Sequence, residues 1–280
     1  MIPSLNLGGT LLTFDSPKIM GIVNLTPDSF YTKGSNNSVT GALFLAEKML
    51  AEGAHVLDLG GQSSRPGAAL MEVETEIQRV VPAIEAIRKR FPEAIVSVDT
   101  FHAPVARAAV ASGAQIVNDI SAGLMDEKMF QTVSDLKVSY ILMHMKGTPK
   151  TMQQNPVYAA IVPEVFDFLN QRVQAARAHG IQELMLDPGF GFGKTIDQNY
   201  SLLRNLSSFE LLQLPLLAGL SRKSMIYKVL DSEAEEALNG TTALHMLALN
   251  NGAHMLRVHD VKEAAETIRL FNRYQQAVNS

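Results

Sequence analysis

The sequence predicts a (β/α)8 TIM barrel of the α/β class with a short N-terminal β-hairpin, and three observations carry that expectation. Eight short apolar runs, rich in β-branched residues, recur along the 280 residues, each followed by a longer amphipathic stretch. Runs that are apolar at consecutive positions suit parallel strands buried on both faces. Gly53, Gly113, Gly180 and Gly252 each close an amphipathic stretch, where a helix C-terminal glycine belongs. The length also suits a barrel, which takes about 250 residues in one domain. An open doubly wound sheet is the competing arrangement of such units. Eight units with none missing favour the closed form.

The strands are expected at 18–23, 55–59, 95–98, 116–117, 140–143, 184–186, 216–220 and 255–258. Helical patterns fall between them, for example at 40–52, 73–90, 103–112, 157–179 and 235–250. Residues 5–15 read as a hairpin turning at Gly8-Gly9 and covering the N-terminal end of the barrel. Near the C-terminus Ile268, Phe271 and Tyr274 recur at helical spacing and read as packing against the barrel. No linker or composition shift interrupts the chain, so residues 1–280 are expected to form one domain.

Composition narrows the function classes. The hydrophobic fraction of 46% can fill a barrel interior, and a net charge of -4 gives no global attraction to nucleic acid or anionic membrane. The chain has no cysteine, which excludes disulfides, thiolate metal sites and a cysteine nucleophile. Residues 1–15 lack the basic-then-apolar pattern of a signal peptide, and no run reaches the roughly 18 apolar residues of a membrane span. A cytoplasmic location is expected.

Chemistry is concentrated where the apolar runs end. The first ends in Asn24 and the second runs through Asp58 to Gln62-Ser63-Ser64-Arg65. The third and fourth end in Asp99-Thr100 and Asn118-Asp119, the fifth reaches His144 and the sixth Asp187. The last two end in Ser221-Arg222-Lys223 and in Arg257 with His259-Asp260. Parallel strands carry their C-terminal ends to one face, so these groups should converge on one mouth. Helix capping explains single members such as Asp119, Ser121 or Asp260, but not the lysine and arginines.

Asp99, Asn118 and Asp187, in that barrel order, suit a flat ligand with adjacent N–H donors, since a carboxylate takes two parallel hydrogen bonds from a guanidine-like edge. Lys223 can meet a carbonyl of the same ligand. Gly189, Gly191 and Gly193 flank Phe190 and Phe192 and leave room for backbone approach under a covering ring. Arg65, Arg257 and His259 lie on the second and eighth strands, read as neighbours once the barrel closes, and form an anion site. Asn24 offers a hard oxygen of the kind Mg²⁺ prefers. Two decoys are set aside. The Gly-Lys-Thr at 193–195 lacks the first glycine of a phosphate loop, because Pro188 stands there. The histidines share no zinc-ligand spacing.

These strand ends carry further motifs. Asn24-Leu25-Thr26-Pro27-Asp28-Ser29-Phe30 and Asp58-Leu59-Gly60-Gly61-Gln62-Ser63-Ser64-Arg65-Pro66-Gly67 resemble the two signatures of dihydropteroate synthases. Asn118-Asp119-Ile120, Leu142-Met143-His144-Met145, Asp187 through Lys194, Ser221-Arg222-Lys223 and Arg257-Val258-His259-Asp260 match the same family in order. The resemblance implies condensation of 6-hydroxymethyl-7,8-dihydropterin diphosphate with 4-aminobenzoate, with release of pyrophosphate, in folate synthesis. By the same resemblance Asp99, Asn118, Asp187 and Lys223 hold the pterin, with Met143, Phe192 and Gly219 lining its pocket and Arg257 stacking on it. Asn24 holds Mg²⁺, while Ser64, Arg65, Arg257 and His259 hold the diphosphate. Phe30, Ser64, Pro66 and Ser221 form the aminobenzoate site, Asp28 is a candidate proton acceptor, and a homodimer is implied. The second signature commonly has Glu and Thr where this chain has Gln62 and Ser64. The rival readings are a pterin-dependent methyltransferase domain, which needs neither loop, and a degenerate pterin-binding barrel kept as a partner protein.

Overall fold

The computed structural model describes residues 3–25, 38–62, 70–152 and 156–277. Two antiparallel strands, β1 (Ser4–Leu7) and β2 (Thr10–Thr13), pair Leu7 with Thr10 across the turn at Gly8 and Gly9. Both glycines have positive φ, 66° and 104°, a region where side chains are strained and glycine is not. Eight parallel strands follow: β3 (Lys18–Asn24), β4 (Val56–Gly60), β5 (Ile95–Asp99), β6 (Ile116–Asp119), β7 (Ser139–Met143), β8 (Leu184–Asp187), β9 (Leu217–Ala218) and β10 (Met255–Val258). Their order is β8-β7-β6-β5-β4-β3-β10-β9, and a parallel bridge from Leu186 to Leu216 closes the ring.

The helices are α1 (Ser38–Glu52), α2 (Val73–Arg90), α3 (Ala103–Ala111), α4 (Met129–Leu136), α5 (Ile161–Ala178), α6 (Ile196–Arg204), α7 (Ser224–Tyr227), α8 (Leu238–Asn250) and α9 (Val261–Ala277). The expected hairpin and all eight strands are present. Three elements are shorter than the periodicity suggests. β9 keeps only Leu217 and Ala218, because the chain leaves the ladder at Gly219 for a turn in which Arg222 is left-handed, φ 54°. α5 starts at Ile161 instead of 157, since Tyr158 is bound through its hydroxyl to the Gly193 carbonyl and Lys146 holds the Val157 carbonyl. α8 starts at Leu238 because Arg222 occupies the carbonyls of Ala234 and Glu235. Tyr274 also departs from expectation: Ile268 is buried, but Tyr274 is 61% exposed.

Strand side chains alternate between two environments. Outward residues such as Ile19, Val23, Leu57, Leu59, Val96 and Val98 join the main core beneath the helices. Inward residues at the lower end, Met20, Val56, Ile116, Ile141, Met185, Leu217 and Met255, pack with Leu5, Leu7, Leu12 and Phe14 of the hairpin. The hairpin therefore plugs the barrel floor, and each of its buried large side chains contributes about 1.5–3 kcal/mol.

Candidate active site

The floor layer locates the layer above it, because successive inward positions on a strand are two residues apart. Two residues beyond Val56, Ile116, Ile141, Met185, Leu217 and Met255 stand Asp58, Asn118, Met143, Asp187, Gly219 and Arg257. On β3 and β5 the inward series ends in Asn24 and Asp99. One pit at the C-terminal end of the barrel thus receives the strand-end groups. Among the described residues it brings together Asn24, Asp99, Asn118, Met143, Asp187, Phe192, Gly219, Ser221, Lys223, Arg257 and His259. Phe30, Ser64, Arg65 and Pro66, with Asp28, lie outside the described residues.

Arg257 occupies one side of the pit between two carboxylates. Its Nε donates to Asp58 Oδ2 at 2.6 Å and its Nη2 donates to Asp99 Oδ2 at 2.6 Å. One guanidinium cannot offset two neighbouring carboxylates, and burial, aided by Asp58 and Asp119, lifts Asp99 to about 7. The strand order corrects one expectation. β4 and β10 are not neighbours, because β3 lies between them. Arg257 reaches Asp58 across two strand spacings of about 4.8 Å each, a span that its long side chain covers. Asp58 stands among the strand-end groups, but the sequence assigns it no partner and no role. Its signal was the period of two: an aspartate in the inward position after Val56, inside an otherwise apolar strand.

Asp187 and Lys223 form the opposite side. A Cβ at Gly219 would lie 3.6 Å from Lys223 Nζ and 3.8 Å from Asp187 Oδ2, so this glycine keeps the space between them open. Asp187 Oδ1 accepts from the Gly189 N–H at 2.7 Å. Burial outweighs their mutual attraction for both groups, raising the Asp187 carboxyl and drawing Lys223 down to about 8. Lys223 Nζ donates to the Phe190 carbonyl and sits 4.8 Å from the centroid of the Phe192 ring. Phe190 itself is fully buried in the main core, so only Phe192 is available to cover a ligand. Phe192 packs with Met143, Met145, Met152, Phe101 and Ile120 as an apolar wall.

Lys194, the lysine of the discarded phosphate-loop string, is structural. It is 4% exposed, and its Nζ donates to the carbonyls of His144, Gly189 and Phe192 at 3.3, 2.6 and 3.0 Å. Three acceptors match the three protons of an ammonium group. The adjoining Thr195 caps α6 reciprocally with Gln198. The loop after β8 is therefore tied at both ends, which fixes Phe192 over the pit.

Ser221 and His259 meet above Lys223, with Ser221 Oγ 3.0 Å from His259 Nδ1. At Asp260 the side-chain bonds go to Arg222, whose Nε and Nη2 donate to its two oxygens at 2.8 and 2.9 Å. Asp119 does have the turn-capping role: its oxygens accept from the N–H groups of Ser121 and Gly123 and from the hydroxyls of Ser121 and Tyr140. Gln62 Oε1 accepts from the Met71 N–H at 3.2 Å, bridging the two sides of residues 63–69. A carboxylate can accept in the same way, so the departure at 62 preserves this bond.

Glu76 of α2 is 1% exposed, and neither carboxylate oxygen has a partner at hydrogen-bond distance and angle among the described residues, with the Thr100 hydroxyl close by. Burial lifts it to about 7, against the pull of the Thr100 hydroxyl and with some help from Asp99. A carboxyl raised in the folded state favours folding below its unfolded value near 4.5, and that advantage is lost as pH rises through about 7. Glu76→Gln is therefore expected to melt with the wild type at pH 4.5. At pH 8 it should be the more stable by up to roughly 3 kcal/mol. Parallel melting curves across that range would show that Glu76 is not held as the neutral acid.

Comparison with known proteins agrees with this geometry. The model of the family described as pterin binding enzyme matches residues 20–259. The dihydropteroate synthase of Escherichia coli K12 is 45% identical over 264 residues, covering 94% of this chain and 93% of that one. The structure of Xanthomonas albilineans dihydropteroate synthase with 4-aminobenzoic acid superposes with a TM-score of 0.93 at 42% identity, covering 98% and 99% of the two chains. The complex of the Xanthomonas albilineans enzyme with 7,8-dihydropteroate gives a TM-score of 0.88 at 39% identity, with coverages of 98% and 99%.

Proposed function

Since this chain belongs to the pterin-binding enzymes and, within them, to the dihydropteroate synthases, we propose that its pit is where 6-hydroxymethyl-7,8-dihydropterin diphosphate is joined to 4-aminobenzoate. It is a transferase, forming 7,8-dihydropteroate and releasing pyrophosphate. The observation that carries the assignment of residues is convergence: Asp99, Asn118, Asp187, Lys223 and Arg257 come from five strand ends and face one pit. Three carboxylates, Asp58, Asp99 and Asp187, there outnumber the two cations, Lys223 and Arg257. Such a pit suits a donor-rich, electron-poor ring.

Asp99, Asn118 and Asp187 would take the N–H edge of the pterin, and Lys223 would donate to its carbonyl. Met143 and Phe192 would pack on its faces, and Gly219 would leave the gap it enters. The scissile C–O bond joins the methylene carbon to the diphosphate, and the arylamine nitrogen forms the new bond. That amine is neutral at pH 7, so positioning replaces a general base. Positive charge developing on the methylene spreads into the dihydropterin ring, where Asp99 and Asp187 favour it. Ser64, Arg65, Arg257 and His259 would hold the departing diphosphate. Phe30, Ser64, Pro66 and Ser221 would seat the aminobenzoate and exclude water.

No three His, Asp or Glu side chains cluster as a metal cage among the described residues. The donor set available is the single amide oxygen of Asn24, half-buried at the end of β3. That fits Mg²⁺, which keeps waters and substrate phosphate oxygens in its shell. Asn24 would hold the ion, and the ion when bound would neutralise diphosphate charge. We further propose that residues 1–280 act as one domain, in a cytoplasmic homodimer. Family membership and the absence of cysteine support this, and no helix among the described residues is long and apolar enough to cross a membrane.

The test is direct. Purified protein, the pterin diphosphate, 4-aminobenzoate and Mg²⁺ should yield dihydropteroate and pyrophosphate in equal amounts, with sulfonamide competing against the aminobenzoate. Pterin binding without product would mark a degenerate barrel.

A further inference from the structure

Asp58 has no assigned part in the chemistry above, yet two of the proposed ligand contacts hang from one of its oxygens. It is fully buried, and Oδ2 receives the Asn118 Nδ2 at 2.9 Å together with the Arg257 Nε at 2.6 Å. An ionised carboxylate only accepts. Asn118 must therefore turn its NH2 toward Asp58, which leaves Oδ1 for the pit. An asparagine facing no such acceptor is free to offer a ligand either end of its amide. With Asp58 in place, Asn118 presents an acceptor between Asp99 and Asp187, so that position must meet a donor on the ligand edge. Asp58 also fixes one edge of Arg257. With Nη2 on Asp99, the guanidinium has a set plane, and Nη1 has no partner among the described residues.

We propose that Asp58 is a positioning residue that sets the polarity of ring recognition through Asn118 and the orientation of the leaving-group cation through Arg257. This rests on the assignment of the pit to a pterin. Two probes that differ at C2 and N1 test it: 6-hydroxymethylpterin, with a 2-amino donor, and 6-hydroxymethyllumazine, with an oxygen acceptor in its place and a proton on N1. Binding is read by calorimetry without metal or diphosphate. Wild type should prefer the pterin by at least about 100-fold, since a site built for donors leaves buried acceptors unpaired on the analogue.

Asp58→Ala releases the Asn118 amide, and the preference should shrink at least tenfold beyond any loss common to both probes. Asp58→Asn can keep an oxygen at the Oδ2 position, so its preference should stay within about threefold of wild type. Its kcat should fall at least tenfold while KM for aminobenzoate holds, because Arg257 loses a charged anchor. A folded Asp58→Ala protein with wild-type selectivity overturns the polarity assignment. Wild-type kcat in Asp58→Asn overturns the Arg257 assignment, even if the alanine variant does not fold. A wild type that binds neither probe defeats the pterin reading itself, and this inference with it. Lower melting temperature with unchanged selectivity and kcat would reduce Asp58 to a structural residue.

Discussion

Asp187→Asn is expected to raise the Kd for 6-hydroxymethylpterin by about 100- to 1,000-fold while the protein melts no lower than wild type. The two effects run in opposite directions for one reason. Asp187 is 5% exposed, and burial already disfavours its charge in the empty pit. Replacing it with an amide removes that penalty. The bond from the Gly189 N–H can also survive, because an asparagine oxygen accepts it as the carboxylate does. The ligand, by contrast, loses a charged acceptor that takes two donors at once. Each hydrogen bond to a charged group contributes roughly 1.5–3 kcal/mol, and two donors lose that partner together. Calorimetry and thermal melts on the same preparations decide it. Binding within about threefold of wild type removes Asp187 from the recognition edge.

Arg257→Ala should produce the largest combined loss, at least about 1,000-fold in kcat and roughly 3–5 kcal/mol in stability. The stability loss comes from what stays behind, because Asp58 and Asp99 face each other without the cation that both contact at 2.6 Å. Protonation relieves that repulsion. The gap in melting temperature from wild type should therefore narrow at pH 5 and widen at pH 8. Adding Asp99→Asn should restore much of the stability and none of the turnover. An Arg257→Ala protein as stable as wild type at pH 8 would show that the two ion pairs contribute no net stability.

Much of the fold was legible because it follows from local rules. Consecutive apolar positions marked the barrel strands, and the glycines after the helices lie in left-handed turns, as at Gly113 with φ 113°. Strand ends were harder to read, since what stops β9 and delays α8 is Arg222, a side chain that binds carbonyls far along the chain. The same distinction divides the site. Asp99, Asn118, Asp187 and Lys223 were visible as polar residues closing apolar runs. Asp58 was visible as a polar residue of the second run but had no assigned role, because its partners Asn118 and Arg257 are 60 and 199 residues away in sequence. Lys194 looked like a failed phosphate motif until its three carbonyl acceptors were seen. Pairings of this kind depend on which side chains the closed barrel brings face to face, and no window of sequence contains them.

The hairpin plug separates two kinds of selection. Mutations that reshape the upper rim, for instance to exclude an inhibitor resembling a substrate, tend to weaken folding, as most substitutions do. The lower layer touches no reacting group, so methionines such as Met20, Met185 and Met255 can be exchanged for better-filling aliphatic residues at no catalytic cost. Stability gained there offsets damage at the rim. Resistance to an inhibitor and tolerance of heat can therefore evolve, or be engineered, at opposite ends of the same barrel.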